Sequence, residues 1–275
     1  MDLVFSEEAL QYRSAGHPES PERVKVALGY LKENYEIYEP GQASVDDLLL
    51  VHSEDFVEKV REGRFSDPDC PKYDDLFFYA TLSAGGALKA QEEGALSMMR
   101  PPGHHAGRNF LGGFCYFNNL AIAVEKSGLK TLIVDFDAHH GNGTEDIFLG
   151  HEDVTYLSLH RSPGFPGTGN ETRKNVINHP ISATTGDQKY LNLLGDELDR
   201  LQGEGFEQLA LSAGFDGHKN DPLASVGLST SAFGEIGEML GDMDLHTFAV
   251  LEGGYVGEDL GKNIDAFLRG FNTQS

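Results

Sequence analysis

At 275 residues, with 39% hydrophobic residues and 33 glycines, the chain can bury a large core and fits a single α/β domain spanning 1–275. Its formal net charge of −23, from 44 acidic residues against 21 lysines and arginines, argues against direct nucleic-acid binding, which needs cationic groups to displace counterions. No apolar run approaches the roughly 18 residues of a membrane span, the acidic start Met1–Glu8 is unlike a basic leader, and Cys70 and Cys115 are too few for a disulfide framework, so a cytoplasmic protein with reduced thiols and no membrane contact is expected.

In chain order, Leu3-Val4-Phe5 is a short strand candidate, followed by the turn-rich segment Ser14–Glu19. Ser20 as N-cap and Pro21 at the first helical position open a helix whose Val24, Ala27, Leu28 and Leu31 recur at the spacing of one buried face. Glu36–Tyr38 is a second short strand candidate. Helical segments around Asp46–Arg61 and Leu76–Gln91 flank the irregular loop Phe65–Pro71. From Ala95 onward strand, loop and helix alternate, the signature of a parallel sheet with crossover helices. The strand candidates are Ala95–Met99, Thr131–Phe136, Val154–Leu159, Asn175–Ile177, Gln208–Ala213 and Thr247–Leu251. Between them lie Asn118–Glu125, almost wholly apolar, and Gln188–Leu201, whose Leu191, Leu194, Leu198 and Leu201 mark an inner face.

Reactive side chains follow these strands. The stretch TLIVDFDAHHGNG, Thr131–Gly143, is a buried apolar run that ends in carboxylates and imidazoles. Alternation along a strand points Asp135, Asp137 and His139 the same way, and Asp-x-His on one side offers a hard and a borderline ligand for zinc. The plainer alternative is a strand-to-helix loop in which Gly141 and Gly143 only serve the turn. In Arg100–His105 two prolines stiffen a loop carrying two histidines that titrate near neutrality, although such pairs also occur on surfaces and in satisfied cores. Ser212–Gly217 closes a strand with Asp216, either a ligand or a turn aspartate. Leu251–Tyr255 sets a phenol after two glycines, where an ordinary half-buried tyrosine is the alternative. Ligands of open parallel sheets bind outside the carboxyl ends of the strands. Five such ends, at His104-His105, Asp135–Asn142, Ser158–His160, Asp216 and Tyr255, make a shared pocket the simplest reading.

Taken together, RPPGHHA at Arg100–Ala106, GGFCYFNN at Gly112–Asn119, VDFDAHHGNGTEDIF at Val134–Phe148, LSLHRSPGFPGTG at Leu157–Gly169, SAGFD at Ser212–Asp216 and LEGGY at Leu251–Tyr255 resemble the successive motifs of the zinc-dependent histone deacetylase superfamily. His17–Arg23 resembles its N-terminal motif. The resemblance runs from Gly16 to about Gly270 and is nearest to the class II deacetylases and the acetylpolyamine amidohydrolases.

That resemblance implies the arginase/deacetylase α/β fold, a single parallel sheet of about eight strands with helices on both faces. It implies zinc held by Asp137, His139 and Asp216, with open coordination for water and a substrate carbonyl, and hydrolysis of an N-acetylated amine. His104 and His105 match the tandem proton-transfer pair, His104 with Asp135 and His105 with Asn142, a position that is acidic in some branches. Tyr255 matches the phenol that donates to the oxyanion. Phe114 and Phe165 match the aromatic walls of an acyl-lysine channel, and Gly113 the backbone beside it. Asp135, Ser158 and Leu159, with main-chain oxygens of Asp137 and His139, match a potassium site, and Phe148 and Val154 a second. Leu223 stands where the polyamine-selective relatives resemble one another in having Glu. Acetyl-lysine side chains are therefore the first substrate expectation and acetylpolyamines the alternative, with Glu19 or another carboxylate as a rim candidate. No long insertion of the kind that mediates dimerisation in acetylpolyamine amidohydrolases precedes Arg100, and the oligomeric state stays open. A binuclear manganese ureohydrolase would need a carboxylate at Gly141 and one three residues before Pro222. A catalytically idle acyl-binding module would need neither histidine pair nor phenol.

Overall fold

The computed structural model describes residues 1–274. Eight strands pair side by side in parallel: β1 (Leu3–Val4), β2 (Ile37–Tyr38), β3 (Leu96–Ser97), β4 (Thr131–Asp135), β5 (Val154–Arg161), β6 (Val176–Ile181), β7 (Gln208–Ala213) and β8 (His246–Leu251). Their order is β2-β1-β3-β8-β7-β4-β5-β6. The apolar run of β4 is covered on both faces, as parallel strands must be. Leu132 and Val134 join a core with Tyr190, Leu194, Phe233 and Ile264, while Ile133 joins another with Ala84, Leu120 and Phe248. This is the α/β arginase/deacetylase architecture.

One face is built on α1 (Pro21–Leu31), α7 (Gly186–Leu201), α8 (Thr230–Gly241) and α9 (Gly257–Phe271), the other on α3 (Glu54–Arg61), α4 (Leu76–Glu93) and α5 (Asn119–Ser127), with the short α2 (Val45–Leu48) and α6 (Asn142–Phe148) beside them. Ser20 does precede α1 and Pro21 opens it, but the Ser20 hydroxyl makes no capping bond. The single helix expected over 46–61 is two. Ser44 and Asp47 close a reciprocal capping box on α2, and Ser53 caps α3 through the Phe56 N–H. The break lets His52 turn inward, where it bonds Gly107 and Asn118. Strand β6 runs on through Pro180, which an edge strand tolerates because one side of its ladder is open.

The sheet order decides where the chemistry lies. The five strands whose carboxyl ends carry the reactive residues, β3, β8, β7, β4 and β5, are consecutive neighbours. Asp135 at the end of β4 sits level with Ser158 of β5 and Ser212 of β7.

Candidate active site

The centre of the site is a group of three ligand-type side chains, Asp137, His139 and Asp216, whose donor atoms all lie within 4.8 Å of one another. Nδ1 of His139 is 3.0 Å from Oδ1 of Asp137 and 2.8 Å from Oδ2 of Asp216. The remaining carboxylate oxygens are held from behind: Gly253 N–H donates to Asp137 Oδ2 at 2.7 Å and Ala138 N–H to Asp216 Oδ1 at 2.9 Å. Oδ2 of Asp216 is buried and makes no well-aligned hydrogen bond; its near polar neighbour is Nδ1 of His139 at 2.8 Å, so both atoms turn into the cluster. Two carboxylates and an imidazole converging on one point fit a zinc ion with coordination to spare. Burial and the neighbouring Asp137 push the Asp216 carboxyl up to about 6. His139 is raised to about 11, since Asp216 and Asp137 outweigh the burial that opposes its charge. Both directions report negative charge crowded into one buried place, which a divalent cation would neutralise.

The two histidines after β3 differ in environment. For His104, burial opposes charge, but Asp137, Asp135 and Glu252 outweigh it and raise the ring to about 10. Its Nδ1 is 3.2 Å from Asp135 Oδ2 and its Nε2 3.8 Å from Asp137 Oδ1. For His105, burial and the adjacent His104 and His139 hold the ring well below its usual range. Its Nδ1 meets Asn142 Oδ1 at 2.8 Å, which leaves Nε2 as the free, neutral nitrogen.

These groups open onto a cavity of about 240 Å³ lined by His104, His105, His139, Gly113, Phe114, Phe165, Leu223, Gly253 and Tyr255, together with Pro102 and Asp69. The Phe165 ring meets His105 at 5.0 Å and the Phe114 ring meets Tyr255 at 6.0 Å, both edge to face. Phe165 and Leu223 are exposed, so they form the outer part of the wall. Burial keeps the Tyr255 phenol far above its ordinary pKa, and therefore a donor. A larger recess of about 430 Å³, lined by Leu198, Phe206 and Met239 among others, lies by the segments that lead into β7 and β8, at the opposite end of the strands from this cluster.

Several participants escape sequence reading. Asp69, in the irregular loop, lines the cavity, whereas Glu19 is buried, bonded to Arg100 and Arg23, and reaches no rim. Glu252 accepts from the N–H groups of Gly103 (2.7 Å) and His104 (3.1 Å), fixing the backbone that carries the tandem pair. The Tyr156 hydroxyl donates to Asp135 Oδ2 at 2.8 Å. Ser158 Oγ meets His160 Nδ1 at 2.9 Å, and Leu159 is buried in the core beside it. The carbonyls of Phe148 and Val154 both accept from Asn175 Nδ2 at 2.8 Å, so these two oxygens are already bridged by an amide.

A second metal has no place at this cluster. A Cβ at Gly141 would overlap Asp135 and the Tyr156 hydroxyl, so no carboxylate fits there. Asp221 is committed to backbone N–H groups, and among the described residues no other ligand group of this kind occurs.

His52 supports the histidine loop from outside. It bonds Gly107 O through Nδ1 and accepts the Asn118 N–H at Nε2, each at 3.0 Å, and burial lowers its pKa to about 4. Its folded pKa lies below the unfolded value, so its contribution is full above about pH 6.5 and lost as the pH falls toward 4. Across that window the native protein is expected to lose up to roughly 3 kcal/mol more stability than His52→Gln. Parallel denaturation profiles for the two proteins between pH 7 and 4 would remove His52 from the acid response.

The Histone deacetylase domain family matches residues 17–271, and the chain belongs to that family of deacetylases and acetylpolyamine amidohydrolases. It is 39% identical to a "Probable deacetylase" of Methanothermobacter thermautotrophicus, over all of this chain and 91% of the relative. It is 36% identical to "Acetylpolyamine amidohydrolase 2" of Pseudomonas aeruginosa, over 70% of this chain and 61% of that protein. The crystal structure of an acetylpolyamine aminohydrolase from Burkholderia pseudomallei superposes with a TM-score of 0.91 at 25% identity, covering 99% of each chain. No helix among the described residues is long and apolar enough to cross a membrane.

Proposed function

We propose that the protein is a zinc-dependent deacetylase that removes acetyl groups from N-acetylated amines, with acetyl-lysine side chains as its preferred substrate. The observation that carries this is the buried cluster of three convergent ligand atoms, from Asp137, His139 and Asp216, at the foot of a cavity walled by Phe114, Phe165 and Leu223. Zinc bound by Asp137, His139 and Asp216 supplies a polarised carbonyl and a water with a pKa near 7. The rest falls to side chains of this chain. Neutral His105, its Nδ1–H held by Asn142, takes the proton at Nε2 and later returns one to the departing amine. His104, held by Asp135 at Nδ1, lies beside His105 and shapes the field around that transfer. The Tyr255 phenol donates to the oxygen on which negative charge develops. A potassium ion at Asp135, Ser158 and Leu159, with main-chain oxygens of Asp137 and His139, is part of this reading. A second potassium ion at Phe148 and Val154 belongs to the reading as well, since each carbonyl that accepts from Asn175 Nδ2 keeps a second lone pair. We place the protein in the cytoplasm.

A second reading, an acetylpolyamine deacetylase, is favoured by Asp69 on the cavity wall and by the net charge of −23. Screening over about 8–10 Å limits that charge to steering, so local contacts decide, and exposed Leu223 suits an aliphatic lysine stem better than a distant ammonium. Acetyl-lysine peptides are therefore expected to match or exceed acetylspermidine in kcat/KM. Leu223→Glu should shift the ratio by up to about fivefold toward the polyamine, the upper range of an exposed ion pair. A wild-type enzyme that ignores every peptide yet turns over polyamines rapidly would overturn this preference and put Asp69 in control.

A further inference from the structure

Tyr255 lies in the stretch between β8 and α9 that has no helical or strand bonds of its own. Gly254 before it has φ +121°, a conformation that glycine adopts and residues with a Cβ rarely do. Three side chains hold this stretch, and the first is Asp137, which accepts the Gly253 N–H at 2.7 Å. Arg23 donates from Nε to Gly254 O at 2.7 Å and from Nη2 to Glu252 O at 2.5 Å, and its guanidinium lies 5.1 Å from the Tyr255 ring centre. The backbone N–H of Tyr255 itself goes to a different group, Oδ2 of Asp221, at 2.9 Å.

Asp221 is 8% exposed and sits one residue before Pro222. Its other oxygen, Oδ1, accepts from the N–H groups of Leu223 (2.9 Å) and Ala224 (3.4 Å), closing a local Asx turn. One carboxylate thus joins two cavity walls 32 residues apart in sequence, the loop that presents Leu223 and the loop that presents Tyr255. A carboxylate suits this task because both oxygens accept and neither donates.

From this juxtaposition we infer that Asp221 is a positioning residue, which sets the phenol of Tyr255 in register with the Leu223 wall so that the hydroxyl meets the reacting oxygen. The inference rests on the deacetylase reading for the role of that hydroxyl. It assigns Asp221 no contact with substrate or metal.

Asp221→Asn separates the two halves of the contact. The two donors of the 221–224 turn hold the amide oxygen, so the amide NH₂ faces Tyr255 N–H and can accept nothing from it. The turn survives and the link to Tyr255 is cut. In the zinc-loaded enzyme kcat should fall by roughly 10²-fold, the cost of a reacting group misplaced by about an ångström, with full zinc content and KM within about threefold. The same substitution on a Tyr255→Phe background should cost less than about threefold, because the hydroxyl it positions is already gone. An unchanged kcat, or an equal loss on both backgrounds, overturns the inference and leaves Asp221 a general stabiliser of the loop. Asp221→Ser can cap the turn but cannot reach Tyr255, and it repeats the test if the amide variant does not fold.

A readout free of turnover keeps this separate from the proposed chemistry. With 3-fluorotyrosine incorporated, the Tyr255 resonance, assigned by its loss in Tyr255→Phe, should shift or broaden in Asp221→Asn. An unmoved resonance counts against the inference. A wild-type protein that hydrolyses no acetylated amine, with the resonance still responding, refutes the deacetylase reading alone.

Discussion

Asp216→Ala is expected to strip the protein of zinc and turnover together. The wild-type chain should bind one zinc, because Asp137, His139 and Asp216 are the one complete ligand group among the described residues. Removing Asp216 leaves one carboxylate and one imidazole, too few to keep the ion against buffer and water. Alanine also removes the acceptor of the buried Ala138 N–H, at a cost of about 1–3 kcal/mol. The companion Asp216→Asn can keep that bond through its carbonyl while losing the anionic ligand, so it should fold and still fail to hold metal. Elemental analysis and zinc-induced stabilisation check both variants. Added zinc should raise the melting temperature of the wild type, as any ligand of the native state does, and leave the variants where they were. Full zinc occupancy in either variant would place the third ligand elsewhere. Two transition metals per wild-type chain would favour the binuclear ureohydrolase that Gly141 and Asp221 argue against.

How far the sequence reaches depends on what each residue bonds to. Asp137, His139 and Asp216 are legible because they end apolar runs, and a carboxylate at the exit of a buried strand stands out against its neighbours. Glu252 and Asp221 are buried too, but Asp221 spends its oxygens on backbone N–H groups and Glu252 divides its own between backbone N–H groups and the Ser212 hydroxyl, and that leaves no spacing for a reader to find. Tyr156 alternates correctly within β5 and looks like core, although its hydroxyl carries a bond to Asp135. Asp69 sits in the least regular loop, where periodicity says nothing about which way a side chain turns.

The same contrast holds for the fold. Strands β4 and β7 announce themselves by unbroken apolar runs. Strand β3 pairs over only two residues, Leu96–Ser97, because the chain after it must bend into the histidine loop. Helix α8 is weakly marked because Gly234, Gly237 and Gly241 have low helix propensity. They are there for packing: a Cβ at Gly237 would overlap the Phe267 carbonyl of α9, and one at Gly270 the Gly234 carbonyl. Tertiary contact selects the residue that local propensity disfavours, so a reading by propensity misses it.

His105→Ala and Tyr255→Phe are expected to separate proton transfer from metal binding. Neither side chain belongs to the ligand group, so both variants should keep their zinc and its stabilising effect. His105 supplies the free imidazole nitrogen, and its removal should lower kcat by about 10²–10⁴-fold, the range for a positioned acid/base. Tyr255 supplies a donor to an oxygen whose charge grows only as the bond is made. Its loss should cost roughly 10²–10³-fold, mostly in kcat and little in KM, because the ground-state carbonyl gains less from the donor. The pH response divides the two further. Tyr255→Phe should keep the acidic limb of the wild-type kcat/KM profile, which belongs to His105 as base, and His105→Ala should lose it. The limb lies low because burial disfavours the charged ring. Near-normal turnover in both variants, with zinc retained, would take His105 and Tyr255 out of the mechanism. An acidic limb that persists unchanged in His105→Ala would instead assign the proton to His104, whose pull from Asp135 and Asp137 weakens once zinc shares those charges.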